Sequence, residues 1–340
     1  MIIGLTIVLL LVLILPFSLK AVEEHLEPFL FVMGVAAALI SHVLNMDLVI
    51  KALEDPINIT LAVLIAGLVF RWFQDPIEKG ILGLSNKIPS RLFLALTVII
   101  LGLISSIITA IIAAIVLVVI VSVLRLDRAS EVRLVVLACF SIGLGAALTP
   151  IGEPLSTITV SKLNEGFFYL FNLISVDVIV AIIIFGILAA LIVKHNTSDE
   201  GLEDKESLEK ESYKEIIVRA LNIYLFVMGL TLLGAGFEPF IEKFLLDLSP
   251  LILYWINMIS AVLDNATLAA AEISPSMDGP TIKAILLGLL ISGGMLVPGN
   301  IPNIISAGKL KITSSEWAKF GLPVGLIVMA VYFVVILIFH

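Results

Sequence analysis

The stretch that decides the fold reads Arg91-Leu-Phe-Leu-Ala-Leu-Thr-Val-Ile-Ile-Leu-Gly-Leu-Ile-Ser-Ser-Ile-Ile-Thr-Ala-Ile-Ile-Ala-Ala-Ile-Val-Leu-Val-Val-Ile-Val-Ser-Val-Leu-Arg125. No charge falls between the two arginines. As one helix the run would be about 50 Å long at ~1.5 Å per residue, far beyond the ~30 Å hydrocarbon core of a bilayer. It must fold back. A turn near Ser105 and Ser106 leaves two arms, each short for a crossing and each with a cation at its outer end. This predicts a re-entrant hairpin over 91–125 with both ends on one face. Irregular backbone at that depth is tolerated only where protein or a water-filled cavity satisfies it.

The rest of the chain fits the same solvent. Of 340 residues, 60% are apolar and 14% charged, and mean hydropathy is +1.17; soluble domains have roughly 45–50% apolar and about 25% charged residues. Apolar runs fall at 28–44, 59–70, 134–148, 167–193, 216–237, 248–271, 284–297 and 320–339. Residues 1–19 lack a basic start and a small-residue cleavage site, and read as a retained span rather than a signal peptide. The run 248–271 is interrupted by Asn257, Ser260, Asp264, Asn265 and Thr267, which predicts a second hairpin over 248–273. The formal charge of -8 owes much to an acidic segment at 195–215 and says little about partners. The single Cys139 and the four scattered histidines offer neither an intramolecular disulfide nor metal-ligand spacing.

Charge placement orients the spans. With the first hairpin entering from the cytoplasm, of 20 Lys and Arg only Lys51, Lys162, Lys243 and Lys283 remain outside, the bias of the positive-inside rule. Both termini are then extracellular and the 195–215 linker cytoplasmic, in a multi-pass protein of the cell membrane. The same placement yields two oppositely oriented units, each with spans, a short amphipathic segment (74–86; 238–247), a hairpin and an interrupted span. The expected division is an N-terminal span at 1–26, a first unit at 27–166 with a broken helix at 131–161, a second at 167–318 with a broken helix at 281–309, and a C-terminal span at 319–340. The fold class expected is thus an all-α membrane protein with inverted structural repeats, two re-entrant hairpins and two broken transmembrane helices, a plan in which the site lies at the repeat interface. Pairing Phe31-Val-Met-Gly34 with Phe226-Val-Met-Gly229 instead puts the hairpins out of register, so that match is treated as chance.

The breaks carry the candidate chemistry. Gly143-Leu-Gly-Ala-Ala-Leu-Thr-Pro-Ile-Gly-Glu-Pro-Leu-Ser156 cannot be unbroken helix, because its prolines remove donors and clash with the preceding turn. Opening it frees carbonyls and places Thr149 and Glu153 among them. The second break, Ser292-Gly-Gly-Met-Leu-Val-Pro-Gly-Asn-Ile-Pro-Asn303, has neutral Asn300 and Asn303 instead; its alternative is a plain surface turn. Asp264 and Asn265 lie among apolar residues at the second hairpin. An acid at membrane depth is a functional hypothesis by default, against the alternative of an Asp capping the second arm. Glu153 has its own alternative, a loop residue exposed at the outer mouth. No Lys or Arg falls in either hairpin tip or either break, so the sign of the site favours a cation, with proton and cation competing for the buried carboxylates.

Three stretches, Leu148-Thr-Pro-Ile-Gly-Glu-Pro154, Ser260-Ala-Val-Leu-Asp-Asn265 and Gly293-Gly-Met-Leu-Val-Pro-Gly-Asn300, resemble the ion-transporter superfamily. That superfamily includes NhaD-type sodium/proton antiporters, arsenite exporters and sodium-coupled dicarboxylate carriers; a short chain of this kind is most similar to a branch of cation transporters of unassigned substrate. The resemblance implies elevator-type movement of the hairpins and broken helices. Where antiporters of the superfamily carry Asp-Asn at both hairpin tips, this chain has Thr109 and Ala110 in the first. An asymmetric cation site follows: Asp264 and Glu153 as alternating cation and proton sites, with Ser105, Thr109, Thr149, Ser260, Asn265, Asn300 and Asn303 as neutral ligands.

The function expected is sodium/proton antiport, with sodium or another monovalent cation as substrate and no cofactor. The partners expected are the small cation, the proton, the lipid bilayer and a second copy in a homodimer, and no nucleic acid. A second reading is sodium-coupled transport of a small anion such as arsenite or a carboxylate. A distant third is an intramembrane protease using Asp264 and Asp177, although Gly-x-Gly-Asp, Gly-x-Ser-x-Gly and His-Glu-x-x-His are all missing from the sequence. No enzymatic activity is otherwise expected.

Overall fold

The computed structural model describes residues 1–19, 21–22, 25–85, 87–124, 126–194, 212–244, 249–262, 265–273 and 277–339. Lys20, Arg125, most of the acidic linker and Asp264 lie outside them. Among the described residues the structure is helical and without strands: α1 (Ile2–Ser18), α2 (Leu26–Ile40), α3 (Met46–Ser85), α4 (Ser90–Ile108), α5 (Ala110–Leu124), α6 (Arg128–Ala146), α7 (Pro154–Leu163), α8 (Tyr169–Ile192), α9 (Tyr213–Phe244), α10 (Pro250–Ile256) with a 3₁₀ turn (Asn257–Ala261), α11 (Asn265–Glu272), α12 (Gly279–Gly293), α13 (Ile301–Leu310) and α14 (Ser314–Phe339). Among the described residues, five helices are long and apolar enough to cross a membrane. Large apolar side chains stay exposed along α8 (Val176, Val180, Ile187, Leu191) and α14 (Ile327, Val331, Val334, Ile338), more apolar surface than a water-facing protein tolerates. The chain is in keeping with an all-α membrane protein.

The charge-free run is two helices meeting at Thr109. Contacts with the next helix fix its course. The Ser141 hydroxyl donates to the Val98 carbonyl at 3.0 Å, that of Ser105 to Ile142 at 3.0 Å, and that of Thr149 to Ser106. Residue numbers rise together on both sides, so α4 and α6 run parallel. The chain has therefore returned through α5 to the end it started from. The turn falls at Thr109 rather than at Ser105 and Ser106. Both serines stay inside α4 because their hydroxyls donate one turn back, to Gly102 at 2.7 Å and Leu103 at 2.9 Å, the local bonding that lets serine sit in a helix.

The second half follows the same order. Ser260 donates to Leu289 at 2.9 Å and Asn257 Nδ2 to Ile285 at 3.4 Å, so the α10 arm runs parallel to α12 as α4 does to α6. Each return arm packs on the other half: α5 against α13, and α11 against α7.

Helices α6 and α13 run antiparallel. At the start of α6, Arg128 donates to the carbonyls of Leu310 at 3.0 Å and Lys311 at 2.6 Å, at the end of α13. Near the end of α6, a Cβ on Gly143 would sit 2.7 Å from Asn300 Nδ2, at the start of α13. The end of α8 also meets the start of α6, where the Lys194 N–H donates to the Ser130 hydroxyl at 3.1 Å. Arg128, Arg133, Lys194 and Lys311 thus gather at one end of the bundle. At the other, Lys283 pairs with Asp177 at 2.6 Å.

Two other elements depart from the sequence reading. The span at 59–70 and the described part of the amphipathic segment, 74–85, belong to one 40-residue helix, α3, which contains Pro56 and Pro76; no glycine interrupts 68–79 to end it. The two Phe-Val-Met-Gly tetrapeptides, set aside as chance, are neighbours in space. A Cβ on Gly229 would meet the backbone of Phe31 at 2.7 Å, and one on Gly236 would meet Ala37 at 2.6 Å. Glycines here let α2 and α9 pack backbone to backbone in parallel.

Candidate functional site

Helix α6 stops at Ala146 and α7 starts at Pro154. A proline suits a first helical position, where its missing N–H costs nothing. Between them the chain is irregular, and its polar groups find partners on the first hairpin. The Ala110 N–H donates to the Gly152 carbonyl at 2.9 Å, and Thr149 bonds the Ser106 carbonyl. The Ser156 hydroxyl reaches back across the break to Ala147 at 3.1 Å. Glu153, in this irregular segment, is buried, at 6% exposure, rather than exposed. Ser105 is buried too, but its one hydroxyl proton is shared between a carbonyl of α4 and one of α6, so it joins the hairpin to the broken helix.

Thr109, at the tip, has φ 77 and ψ 151, a region that essentially only glycine occupies and that costs about 1–3 kcal/mol for other residues. The hairpin tip is held in that conformation by its neighbours. The bond from the Ile112 N–H to Thr109 Oγ1 is long, at 3.4 Å.

The second break is built alike. Helix α12 ends at Gly293, a 3₁₀ turn covers Val297–Gly299, and α13 starts at Ile301. Val297, Pro298, Gly299 and Asn300 are buried, so this segment is not a surface turn. Asn303 spans the opening, its Nδ2 donating to Gly293 at 2.8 Å and Leu296 at 2.9 Å, while its Oδ1 has no hydrogen-bond partner among the described residues. Asn300 caps α13, accepting from the Ile301 N–H at 2.8 Å. Ser260 and Ser292 face each other at 3.0 Å, and Ser292 also donates to the Asn257 carbonyl at 2.6 Å. Asn265 Nδ2 lies 3.6 Å from the Cβ position of Gly293 and has no hydrogen-bond partner among the described residues.

The structure therefore gathers the expected residues into two adjoining clusters. Ser105, Thr109, Thr149 and Glu153 belong to the first break; Ser260, Asn265, Asn300 and Asn303 belong to the second. Asn300 joins them, because its side chain lies against Gly143 of α6. Asp264 lies outside the described residues. Asp177, the other aspartate considered, is held by Lys283 at the far end of the bundle.

Sequence reasoning missed Ser292, Asn257 and Glu272. Glu272, the last residue of α11, is buried at 1% exposure. The available signal was symmetry about the hairpin tip, which sets it across from Asn257.

The chemistry on offer is that of oxygen ligands. Among the described residues there is no group of three or more His, Cys, Asp and Glu that could hold a metal ion. Backbone carbonyls of the breaks, amide oxygens and Glu153 are oxygen ligands of the kind a hard cation takes. The N-termini of α5, α7, α11 and α13 point positive dipole ends toward the same breaks.

Comparison with curated proteins gives no match. A family model matches residues 2–339, almost the whole chain, and on that match the chain belongs to the family described as a protein of unknown function (DUF1646).

Proposed function

We propose that this protein is a secondary transporter of a small cation, working by sodium/proton antiport. The observation that carries the reading is the docking of two helical hairpins, each onto its own broken helix, with the buried acid Glu153 at one break and no Lys or Arg in either. A buried acid in a break whose own sequence carries no Lys or Arg favours a cation. The two halves, matching in element order and with α6 and α13 antiparallel, support an inverted repeat with the site at its interface. On the positive-inside rule the end bearing Arg128, Arg133, Lys194 and Lys311 faces the cytoplasm. In the elevator movement proposed, the hairpins and broken helices shift as a body against the closely packed pair α2 and α9. The resemblance to the ion-transporter superfamily points the same way, and Asp264 is the second acid of the proposed site. An ion-binding screen tests this: sodium, lithium and potassium titrated calorimetrically into purified protein should give a heat of binding for at least one ion that Asp264→Asn removes.

A second reading has its own observation. Four helix N-termini directed at two breaks also suit an anionic group, as in sodium-coupled uptake of a carboxylate or an oxyanion. Labelled succinate or arsenite entering proteoliposomes only with sodium present would select it.

A further inference from the structure

Glu272 lies beyond the hairpin tips and breaks, and the antiport proposed above does not use it. It ends the return arm of the second hairpin and is buried at 1% exposure. Neither carboxyl oxygen has a hydrogen-bond partner among the described residues. The Asn257 side chain lies close by on the opposite arm. Helix α11 packs on α7, α9, α12 and the 3₁₀ turn. Of the charged residues those elements carry, Lys162 on α7 and Lys214, Glu215 and Glu238 on α9 are exposed, and Lys283 on α12 is paired with Asp177. The side chains of Arg219, Glu242 and Lys243 on α9 lie outside the described ones.

A carboxylate in this position would carry a full charge in apolar surroundings, at an effective cost of several kcal/mol. A proton on one oxygen removes that cost, and needs no other ligand. A sodium ion would need several more oxygens.

We propose that Glu272 is a proton-carrying site of the second hairpin, separate from the cation site at the breaks. This rests on the transport reading and deepens it. One Glu272 oxygen takes a proton from water on one face, the neutral hairpin moves through the apolar interior, and the proton is released to water on the other face. The charge state of Glu272 then decides when the hairpin can move, because a neutral arm crosses an apolar slab far more readily than a charged one.

The test uses the full chain in proteoliposomes, reading sodium with a radiotracer and protons with an entrapped pH dye, for wild type and Glu272→Gln, the isostere of the protonated acid. Protons moved per sodium should fall by the one that Glu272 carries, and the pH profile should flatten. A wild-type ratio and profile in Glu272→Gln overturns the proposal. Should the glutamine variant fail to fold, Glu272→Asp keeps a titrating group in altered surroundings; a displaced pH profile supports the proposal and an unchanged one contradicts it. Infrared difference spectra between acidic and alkaline pH decide Glu272 apart from transport. A protonated-carboxyl band present in wild type and missing from Glu272→Gln supports the site, and no such band in wild type overturns it. Wild type that moves no sodium, while showing that band, fails the antiport reading alone.

Discussion

The Ala110 N–H donates to the Gly152 carbonyl at 2.9 Å, so the tip of the first hairpin is hydrogen-bonded directly to the opening in the broken helix. The orphan N–H at the start of α5 and an orphan carbonyl in the break satisfy each other. Neither element would be stable alone in an apolar solvent. Hairpin and break therefore complete each other's backbone hydrogen bonding.

That unit depends on glycine at the contact. A Cβ on Gly145 would run into the Gly102 carbonyl oxygen and meet Ser105 Oγ at 2.9 Å. Gly145→Ala should cost about 1–3 kcal/mol by overpacking. Gly308→Ala, where nothing lies within 4 Å of the new methyl, should be neutral or stabilising by up to about 1 kcal/mol. Thermal unfolding in detergent should place the Gly145→Ala midpoint below those of wild type and Gly308→Ala; equal midpoints would refute the contact.

Thr109 is held where glycine is at ease. Thr109→Gly should unfold at a higher temperature than Thr109→Ala, the two differing by about 1 kcal/mol or more. The reverse order would mean that the tip is not strained.

Arg128 ties three elements together at the basic end. Its guanidinium bonds both Glu316 oxygens at 2.7 Å and Glu131 at 2.8 Å, besides the two carbonyls that end α13. Lysine cannot reproduce this planar fork. Arg128→Lys should lose about 1–2 kcal/mol, discounted for partial exposure, and increase proteolysis or hydrogen exchange at 309–316. Protection unchanged from wild type would count against the staple.

Asp127 caps α6 by accepting from the Ser130 N–H at 3.0 Å, and that bond holds its carboxyl below the usual aspartate range. A depressed folded-state value contributes stability above the unfolded value, lost as pH falls through the folded one. Asp127→Ala should therefore cost about 1 kcal/mol at neutral pH, with the gap to wild type closing once pH drops below the ordinary aspartate range. A gap that holds at low pH would contradict the cap.

Much of the architecture was legible in the sequence for a simple reason. A charge-free run between Arg91 and Arg125 too long for one crossing has few solutions, and Pro150, Gly152 and Pro154 admit no unbroken helix. The turning residue was not legible, because Ser105 and Ser106 look like helix breakers yet bond within α4, while Thr109 turns only where Gly152 receives the next N–H. Glu272 was hidden by its position after Ala-Ala-Ala, where it reads as the polar end of a span; only the return of the chain on itself buries it. The Gly34 and Gly229 contact was invisible for a related cause, since a shared tetrapeptide suggests a repeat, whereas the structure uses both copies to bring two parallel helices together.

The central claim, cation transport through buried acids, is tested most directly by sodium uptake into acid-loaded proteoliposomes under an imposed pH gradient, for wild type, Asp264→Asn and Glu153→Gln. Wild type should accumulate sodium while protons leave, and each variant should lose at least about tenfold of that uptake, as removal of a charge at an intramembrane ion site demands. Wild type without sodium uptake, or both variants matching it, would contradict the claim.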